Sequence, residues 1–421
     1  MHSSFQYKNG EFHIGDVSLK TIAESVGTPF YVYSYESLKD SFTSYQEAFS
    51  DMNTLICYSV KANSNIAILK SFSDLGSGFD IVSGGELLRV QRAGGDPSKV
   101  VFSGVGKTRE EMRAAIEAGI LFFNVESEEE LHVLNEVGKE LGKKAPVALR
   151  VNPDIDPKTH PYISTGFKKS KFGIEIGRAF EVYKEANLME GINVVAIDAH
   201  IGSQIFDLTP FSDSVKKLVS LADDLVAEGI NIQYIDIGGG LGISYKLDDK
   251  PPHPGKYADI IKKEFSGKPY NLVLEPGRSL VGNAGMLVTK VLYLKEGTAK
   301  KFVIVDAAMN DLIRPAFYES YHEILPVKEN STVKEVVDIV GPICESGDFL
   351  AQDRELSKVQ SGDLLTVLSA GAYGFVMSSN YNTRPRVAEV LVNGGEYFVI
   401  RQRENYNDIL SLEAIPEFLQ E

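Results

Sequence analysis

Lys61 is the residue in this sequence whose position most clearly allows covalent chemistry. It follows the apolar run LICYSV (55–60) and precedes the small polar run ANSN (62–65). A lysine at the end of a buried strand can form an imine with a carbonyl compound, but most lysines at strand ends only carry charge into solvent. Position alone leaves both interpretations open.

Three consecutive glycines, Gly238, Gly239 and Gly240, lie in the run IDIGGGLG (235–242). A dinucleotide-binding fingerprint would need a further glycine at position 243, where the sequence has isoleucine. An ordinary turn would carry the entropic cost of three glycines without needing them. A phosphate cradle uses them, because bare backbone N–H groups can approach an anion closely. The run EPGR (275–278) would supply the adjoining loop.

Lys61, the glycine loop and Glu275 together fit pyridoxal phosphate (PLP). This cofactor needs an amine for its imine, an anchor for its phosphate and an acid for its pyridinium nitrogen. A carboxylate at that nitrogen keeps the ring protonated, and the protonated ring stabilises a carbanion. Considered alone, Glu275 could equally belong to a structural ion pair. The combination favours the cofactor.

The composition describes an ordinary globular chain. Its 421 residues are more than one core comfortably organises, so we expect two domains. A net charge of −15 argues against nucleic acid as a partner, and no apolar run is long enough for a spanning helix. Two cysteines are too few for a disulfide framework, and the N-terminus MHSSFQYKNG lacks the apolar core of a signal peptide. We therefore predict a cytoplasmic protein with no membrane contact and no metal site.

Short apolar runs alternate with amphipathic segments from residue 55 to residue 275. Several of the amphipathic segments end in glycine, as helices often do. Eight strands alternating with helices predict a closed (β/α)8 TIM barrel, with an open doubly wound α/β sheet as the alternative. The predicted strands are LICYSV (55–60), FDIV (79–82), VVFS (100–103), LFFNV (121–125), VALRV (147–151), VVAIDAHI (194–201), YIDIG (234–238) and LVLE (272–275).

After Glu275 the pattern changes to strand-like runs with few long helical stretches. Examples are KFVIVDA (301–307) and DLLTVLSAGA (363–372). FYVYS (30–34) would be a ninth strand for the barrel, so we assign it to the same β region. The prediction is a barrel domain over residues 35–280 and a mainly β domain, sandwich-like or barrel-like, built from residues 1–34 and 281–421.

Polar residues follow the predicted strands at their C-terminal ends. In a TIM barrel these ends share one face, and that face carries the active site. We therefore expect the polar residues of seven strands to meet there. They are Lys61, Asp80, Ser103, Arg150, His200, the glycines 238–240 and Glu275.

Six short runs resemble the signatures of the alanine-racemase-like, fold type III PLP-dependent decarboxylases. The resemblance extends over nearly the whole chain. Segment 152–174, NPDIDPKTHPYISTGFKKSKFGI, is similar to the diaminopimelate decarboxylases in particular, whereas ornithine and arginine decarboxylases are not expected to carry its THPYISTG run. The six runs are YSVKAN (58–63), HIGSQ (200–204), GGGLG (238–242), EPGR (275–278), GPICESGD (341–348) and AGAYG (370–374).

The resemblance implies a role for each matching residue. Lys61 would form the imine, His200 would stack on the cofactor ring, and Glu275 would hold the pyridine nitrogen. Arg314 and Tyr318 would bind substrate. Taken alone, these side chains also have ordinary explanations, as core residues or members of surface ion pairs. The other cofactor-binding residues would be Asp80, Ser203, Gly238, Gly239, Gly240, Gly277, Arg278 and Tyr373, of which Arg278 and Tyr373 would also contact substrate.

Cys344 and Glu345 form a separate case. A lone cysteine in a β domain is usually a small buried side chain, and this is the prediction for Cys57 in its barrel strand. The acids and glycines around Cys344 instead predict an exposed turn. The resemblance implies that this turn reaches across a homodimer interface into the partner's active site. There the Cys344 thiol, kept protonated by the neighbouring acids, would protonate the carbanion, and Glu345 would bind the distal ammonium group of the substrate.

The reaction that the resemblance implies is decarboxylation of meso-2,6-diaminopimelate to L-lysine, the last step of lysine biosynthesis. A site that pairs both the distal carboxylate and the distal amine would reject substrates that lack one of them, because an unpaired buried charge is costly. A related decarboxylase acting on ornithine, arginine or carboxynorspermidine is the alternative. An amino-acid racemase and a non-enzymatic PLP carrier are more distant alternatives, and CO2 release separates them from a decarboxylase.

Overall fold

The computed structural model describes residues 2–155, 171–329 and 331–420. The THPYISTG run (159–166) lies outside the described residues. The chain forms two compact units. The first comprises Leu38–Ser244 and Asp249–Val281, and the second comprises the residues up to Ser37, the segment Tyr245–Asp248 and the residues from Gly282 onward.

The strands of the described residues are β1 (Phe5–Lys8), β2 (Glu11–Ile14), β3 (Val17–Ser18), β4 (Phe30–Ser34), β5 (Thr54–Ser59), β6 (Gly78–Ile81), β7 (Val100–Phe102), β8 (Phe122–Val125), β9 (Ala145–Asn152), β10 (Ile174–Glu175), β11 (Ile192–Asp198), β12 (Tyr234–Asp236), β13 (Asn271–Leu274), β14 (Gly285–Glu296), β15 (Lys301–Val305), β16 (Ile324–Pro326), β17 (Lys334–Val340), β18 (Phe349–Ser357), β19 (Leu364–Val367), β20 (Ala388–Asn393) and β21 (Glu396–Arg401).

The helices are α1 (Leu19–Val26), α2 (Tyr35–Ala48), α3 (Ile66–Asp74), α4 (Gly84–Arg92), α5 (Arg109–Ala118), α6 (Glu128–Leu141), α7 (Ile176–Asn187), α8 (Thr209–Ala227), α9 (Pro254–Glu264), α10 (Arg278–Val281), α11 (Arg314–Tyr318) and α12 (Tyr406–Leu410). Within the described part of the chain, no helix has the length and apolar character needed to cross a membrane.

Eight parallel strands of the first unit close into a barrel. Their order around the ring is β5, β6, β7, β8, β9, β11, β12 and β13, and β13 pairs again with β5. The two-residue strand β10 pairs with β9. The eight predicted strands and the TIM barrel are therefore confirmed. The open doubly wound sheet was the wrong alternative, because the ring has no free edge between β8 and β9 or between β13 and β5.

Two helices of the barrel, α5 and α6, end in glycine as the sequence predicts for several amphipathic segments. α5 starts with a capping box, in which the Thr108 side chain accepts from the backbone N–H of Glu111 and the Glu111 side chain accepts from the backbone N–H of Thr108. It ends at Gly119, whose φ of 73° is in the left-handed region that glycine adopts without strain. α6 ends in the same way at Gly142. These local signals set the lengths of the helices that join the strands.

The base of the barrel interior is apolar. A buried cluster there includes Cys57, Val101, Phe122, Ala148, Ala196 and Val273, one residue from each of six strands. Cys57 is fully buried in this cluster, so its prediction as a core residue is confirmed.

The second unit is built on a nine-stranded sheet. Its main path is β18-β17-β15-β14-β4-β20-β21, and β19, which pairs with β14, also pairs with β16. β4, the FYVYS run, lies between antiparallel β14 and parallel β20. The run is therefore part of the β region and not a ninth barrel strand, as the sequence predicts. The first three strands form a separate small sheet, and α1 packs its apolar face into the same core as β4.

Candidate active site

Each barrel strand carries a buried polar residue two positions after its base residue, towards the C-terminal end of the strand. Side chains alternate along a strand, so a residue two positions further on points into the same interior. We call these eight residues the polar layer, and all of them are buried. They are Ser59, Asp80, Ser103, Asn124, Arg150, Asp198, Asp236 and Glu275.

Lys61 is held against the polar layer by Asp80. It lies in the short 3-10 turn that follows β5, and its Nζ donates to Asp80 Oδ2 at 2.7 Å. The Lys61 side chain is 36% exposed, whereas that of Asp80 is fully buried. Ser59 Oγ lies 2.9 Å from the same Asp80 oxygen and 2.9 Å from the carbonyl oxygen of Glu275. The amine is therefore held by a buried acid and remains accessible from the barrel mouth.

Glu275 reaches across the barrel from the end of β13. Its Oε1 accepts hydrogen bonds from Asn124 Nδ2 at 3.0 Å and from Ser103 Oγ at 3.3 Å. Burial, and then the carboxylate of Asp80, raise the pKa of Glu275 to about 7. A carboxyl group with this pKa can exchange a proton with a pyridine nitrogen near neutral pH.

Asp198 and Asp236 add two more carboxyl groups to the polar layer. With Glu275 they place three carboxyl groups within 4.8 Å of one another. Burial, and then the charge of Glu275, raise the pKa of both aspartates well above their usual range. Arg150 forms an ion pair with Asp198, with its Nε 3.9 Å from Asp198 Oδ2. Like charges at this distance oppose joint ionisation, so Glu275 disfavours the ionised form of both aspartates.

Glu126, the residue after β8, anchors Arg150. Its Oε1 accepts from Arg150 Nη1 at 2.8 Å, and its Oε2 accepts from the backbone N–H of Gly173 at 2.9 Å. The ring of Phe172 packs 4.7 Å from the guanidinium carbon of Arg150. Glu126 and Arg150 therefore tie the residues just before β10 to the barrel mouth.

His200 follows β11 and is neutral in this environment. Its Nδ1 accepts from the backbone N–H of Gly239 at 3.2 Å, which leaves the ring proton on Nε2. Burial, and then the charges of Arg150 and Lys61, lower the pKa of His200 well below its usual value. A neutral imidazole at this position fits a residue that stacks on a cofactor ring.

The glycines of the IDIGGGLG run are needed because backbone segments pack closely here. A Cβ atom on Gly239 would lie 2.2 Å from the carbonyl oxygen of Glu275. A Cβ atom on Gly240 would lie 2.4 Å from the carbonyl oxygen of Gly202, and Gly240 also has a φ of 118°. No side chain fits either position. The glycine loop therefore packs directly on the turns that follow β11 and β13.

Two N–H groups of this loop already have protein acceptors. Gly238 N donates to Asp236 Oδ1 at 2.9 Å, and Gly239 N donates to His200 Nδ1 at 3.2 Å. In this conformation these two amides orient the loop and the histidine. The predicted phosphate cradle remains a prediction for Gly240 and for the adjoining turns.

Arg278 and Ser203 join two of those turns. Arg278 begins α10, and its Nε and Nη2 donate to Ser203 Oγ at 3.3 and 3.2 Å. Gly277 allows the EPGR turn to approach the end of β5, because a Cβ atom there would lie 2.9 Å from the Cβ atom of Ser59. The turns after β5, β11 and β13 thus form one packed surface.

The second unit carries the other predicted site residues. Arg314 begins α11 and is buried, which argues against an ordinary surface ion pair. The rings of Tyr245 and Tyr318 lie 5.2 and 5.7 Å from its guanidinium carbon. Tyr318 therefore contacts Arg314 as well as being a candidate for substrate binding.

Tyr373 lies in a tightly wound loop of the second unit. Its φ is 54°, and that of Ser369 in the same loop is 56°. A Cβ atom on Gly374 would lie 2.4 Å from the carbonyl oxygen of Ala370. Left-handed backbone is uncommon for residues with side chains and concentrates at binding sites, which is consistent with the predicted role of Tyr373.

Cys344 and Glu345 are exposed on a turn whose backbone is held by hydrogen bonds. The exposed turn was predicted and is confirmed. The backbone N–H of Cys344 donates to Asn382 Oδ1 at 2.8 Å. Asp348 Oδ2 accepts from the backbone N–H of Ile343 at 2.7 Å. The thiol is thus presented from a backbone that is held on both sides of the turn.

The structure brings the barrel residues that the sequence identifies together at the C-terminal strand ends. Four members of the polar layer were missed. Each is a polar residue inside an apolar run, two positions after a small or apolar residue of the barrel base. Placing the eight runs in register with one another would have shown a polar residue at the same position in every strand. The missed residues are Ser59, Asn124, Asp198 and Asp236.

The barrel residues fit PLP. Lys61 offers an accessible amine, Glu275 a carboxyl group with a pKa of about 7, and His200 a neutral ring. Several buried side-chain atoms of the described residues have no hydrogen-bond partner, and five of them lie in the polar layer: Asp80 Oδ1, Asn124 Oδ1, Arg150 Nη2, Asp198 Oδ1 and Asp236 Oδ2. Such atoms are rare in folded proteins, and their concentration in the polar layer is consistent with a polar ligand at the barrel mouth.

Comparison with known proteins gives the same result. Residues 35–282 match the family described as pyridoxal-dependent decarboxylase, pyridoxal binding domain. The diaminopimelate decarboxylase of Aquifex aeolicus is 54% identical over 405 residues, which are 96% of each chain. That of Pseudomonas aeruginosa is 52% identical over 412 residues, or 98% of this chain and 99% of the relative. The crystal structure of the M. jannaschii diaminopimelate decarboxylase in co-complex with L-lysine has a TM-score of 0.95 and 43% identity, with 99% of both chains covered.

A closed barrel, an accessible lysine on a buried acid and a separate β unit define an enzyme of the pyridoxal-dependent decarboxylase type, a carboxy-lyase. The predicted family and fold class are confirmed. The chain belongs to the diaminopimelate decarboxylase family.

Proposed function

We propose that this chain decarboxylates meso-2,6-diaminopimelate to L-lysine, the last step of lysine biosynthesis, with PLP as its cofactor. The observation that carries the proposal is the set of polar groups at the barrel mouth. The Lys61 amine donates to Asp80, and the His200 imidazole accepts from the backbone N–H of Gly239. The Glu275 carboxyl group accepts from Asn124 Nδ2. Relatives that carry this name, at 54% and 52% identity over nearly the whole chain, support the choice of substrate.

The barrel residues would hold the cofactor by different groups. Lys61 Nζ would be the amine for covalent attachment, and Glu275 would pair with the pyridine nitrogen. His200 would supply a neutral ring for stacking, and Ser203, Gly240 and Arg278 would provide donors for the phosphate. When bound, PLP supplies an electron sink for the carbon atom that loses CO2.

Two acids of the polar layer govern charge at the site. Asp80 accepts from Lys61 Nζ and so holds the ammonium group whenever the lysine is not covalently attached. Glu275 has a pKa of about 7 and would share a proton with the pyridine nitrogen, while Asn124 orients its carboxyl group. Asp80 also raises the pKa of Glu275. The two functions are therefore electrostatically linked.

The residues of the second unit are proposed to bind the substrate and deliver the last proton. Arg314, with Tyr318 and Tyr373, would bind a substrate carboxylate by charge-assisted hydrogen bonds. Glu345 would bind the distal ammonium group, and Cys344 Sγ would donate the proton to the carbon that has lost CO2. The exposure of Cys344 on a turn with a hydrogen-bonded backbone supports the proposal that it acts in the active site of a second copy, in a homodimer.

The decisive experiment is a CO2-release assay on purified enzyme with PLP. The substrates are meso-diaminopimelate, ornithine, arginine and carboxynorspermidine at equal concentration. We expect a clear preference for meso-diaminopimelate, because the proposed site pairs a distal carboxylate and a distal amine and this substrate carries both. Preference for any of the other three would disprove the substrate assignment.

Lys61→Ala tests the cofactor assignment. We expect the variant to lose both the visible absorbance of covalently attached PLP and CO2 release. Lys143→Ala is the matched control, since Lys143 is exposed in the turn before β9, at the opposite end of the barrel. Retention of the absorbance and of full turnover by Lys61→Ala would contradict the assignment.

A further inference from the structure

Arg314 is oriented by contacts from three sides. Its Nε donates to His322 Nε2 at 3.4 Å, and its Nη2 donates to Ser320 Oγ at 3.1 Å. Tyr245 and Tyr318 contribute the rings beside the guanidinium group. An arginine fork binds a carboxylate well only when its plane is correctly directed, so the groups that direct this plane affect binding.

His322 can accept from Arg314 in only one tautomer. The residue is fully buried, and its Nδ1 lies 2.9 Å from the carbonyl oxygen of Leu368. A carbonyl oxygen only accepts hydrogen bonds, so Nδ1 carries the proton. Nε2 therefore keeps its lone pair and faces the Nε–H of Arg314. His322 is a neutral acceptor that orients the guanidinium group without neutralising its charge.

The backbone around His322 is also fixed. Arg354 Nη1 donates to the carbonyl oxygen of His322 at 2.7 Å, and the Arg354 guanidinium lies 3.9 Å from the Tyr321 ring centre. The backbone N–H of Leu368 donates to the carbonyl oxygen of Glu323 at 2.8 Å. The imidazole is thus held on a backbone with little freedom to move.

We propose that His322 is a positioning residue that sets the direction of the Arg314 guanidinium group for a substrate carboxylate. The inference rests on the proposed function, in which Arg314 binds that carboxylate. His322 acts only through Arg314, so its loss weakens substrate binding and leaves the chemical step largely intact.

Two amide variants separate the roles of the two ring nitrogens. In His322→Asn the amide can still donate to Leu368 but leaves no acceptor near Arg314. In His322→Gln the longer side chain brings a carbonyl oxygen to the place of Nε2. We expect His322→Asn to raise KM for meso-diaminopimelate about tenfold with kcat changed less than about twofold, and His322→Gln to restore most of the affinity. His132→Asn, at an exposed position of α6, is the matched control and should change neither constant.

A double-mutant cycle excludes a general structural effect. In an Arg314→Lys background, which lacks the Nε–H donor, His322→Asn should cause no further rise in KM. A further rise, or an unchanged KM in His322→Asn alone, would overturn the positioning role. A parent enzyme that prefers another substrate would overturn the proposed function instead.

The tautomer can be measured without turnover. The chain has seven histidines, so 15N NMR of the holoenzyme labelled only at histidine is practicable, and the His322 signals are identified by their loss in His322→Asn. We expect a protonated Nδ1 and an unprotonated Nε2. A proton on Nε2 would overturn the inference whatever the substrate is.

Discussion

Asn124 Nδ2 donates a hydrogen bond to Glu275 Oε1 at 3.0 Å across the interior of the barrel. Asn124 lies in β8 and Glu275 follows β13, and these strands stand opposite each other in the ring of eight. Ser103 Oγ accepts from the same Asn124 amide at 3.0 Å. Residues of strands on both sides of the barrel therefore hold one carboxyl group in position.

Removal of that amide should weaken PLP binding. Asn124→Ala deletes a donor that favours the ionised form of Glu275, so the pKa of Glu275 should rise above its value of about 7. We expect PLP affinity at pH 7.5 to fall about tenfold, measured by titration of the apoenzyme. Asn187→Ala, at the exposed end of α7, is the control. Equal affinities in the two variants would refute the role assigned to Asn124.

Glu275 should make the stability of the apoenzyme depend on pH. Its pKa is raised from 4.5 to about 7 by burial and by Asp80, so between these pH values the folded chain holds a proton that the unfolded chain has released. Its contribution is fully favourable below about pH 4.5 and is lost as the pH rises towards 7, up to roughly 3 kcal/mol.

Glu275→Gln should remove this loss of stability at higher pH, because the glutamine side chain does not ionise. We expect the variant to melt at a higher temperature than the parent at pH 8, with a difference that shrinks at pH 5, as measured by calorimetry of the apoenzymes. Glu228→Gln changes an exposed glutamate and should show no such trend. A larger gain at pH 5 than at pH 8 would contradict the sign of the shift.

Gly239→Ala should damage the site by steric conflict alone. The added Cβ atom would lie 2.2 Å from the carbonyl oxygen of Glu275, so the loop must move away from the turn that carries this residue. We expect a loss of about 1–3 kcal/mol in stability together with weaker PLP binding. Gly177→Ala is the matched control: Gly177 lies in α7 with nothing near its Cβ position, and alanine should stabilise the helix by about 0.5–1 kcal/mol. Similar effects of the two substitutions would be evidence against a tight loop.

Hybrid dimers test the proposed sharing of active sites. Lys61→Ala and Cys344→Ala should each be inactive alone. If Lys61 and Cys344 act on the same site from different copies, a hybrid contains one intact site, and an equal mixture should recover about a quarter of the parent activity. The measurement is CO2 release after subunit exchange, with exchange verified by mass spectrometry. No recovery in verified hybrids would show that the two residues act from the same copy.

The sequence by itself determined the barrel and the positions of its main polar residues. Its eight strands are buried on both faces and therefore appear as continuous apolar runs, and the helices between them carry local capping signals such as Thr108 and Gly119. Lys61 and Glu275 could be placed at strand ends because a polar residue that closes an apolar run is a local feature. The FYVYS run was assigned to the β region only by counting strands.

Only the tertiary structure decided how these residues act on one another. The hydrogen bond between Asn124 and Glu275 joins positions 151 residues apart on opposite strands, and no local pattern encodes that distance. The pKa of Glu275 depends on burial and on Asp80, which are properties of the closed barrel. The glycines at 239 and 240 were predicted for a phosphate, but backbone packing already requires them. Side-chain type is written in the sequence, whereas protonation and orientation depend on neighbours that only folding brings together.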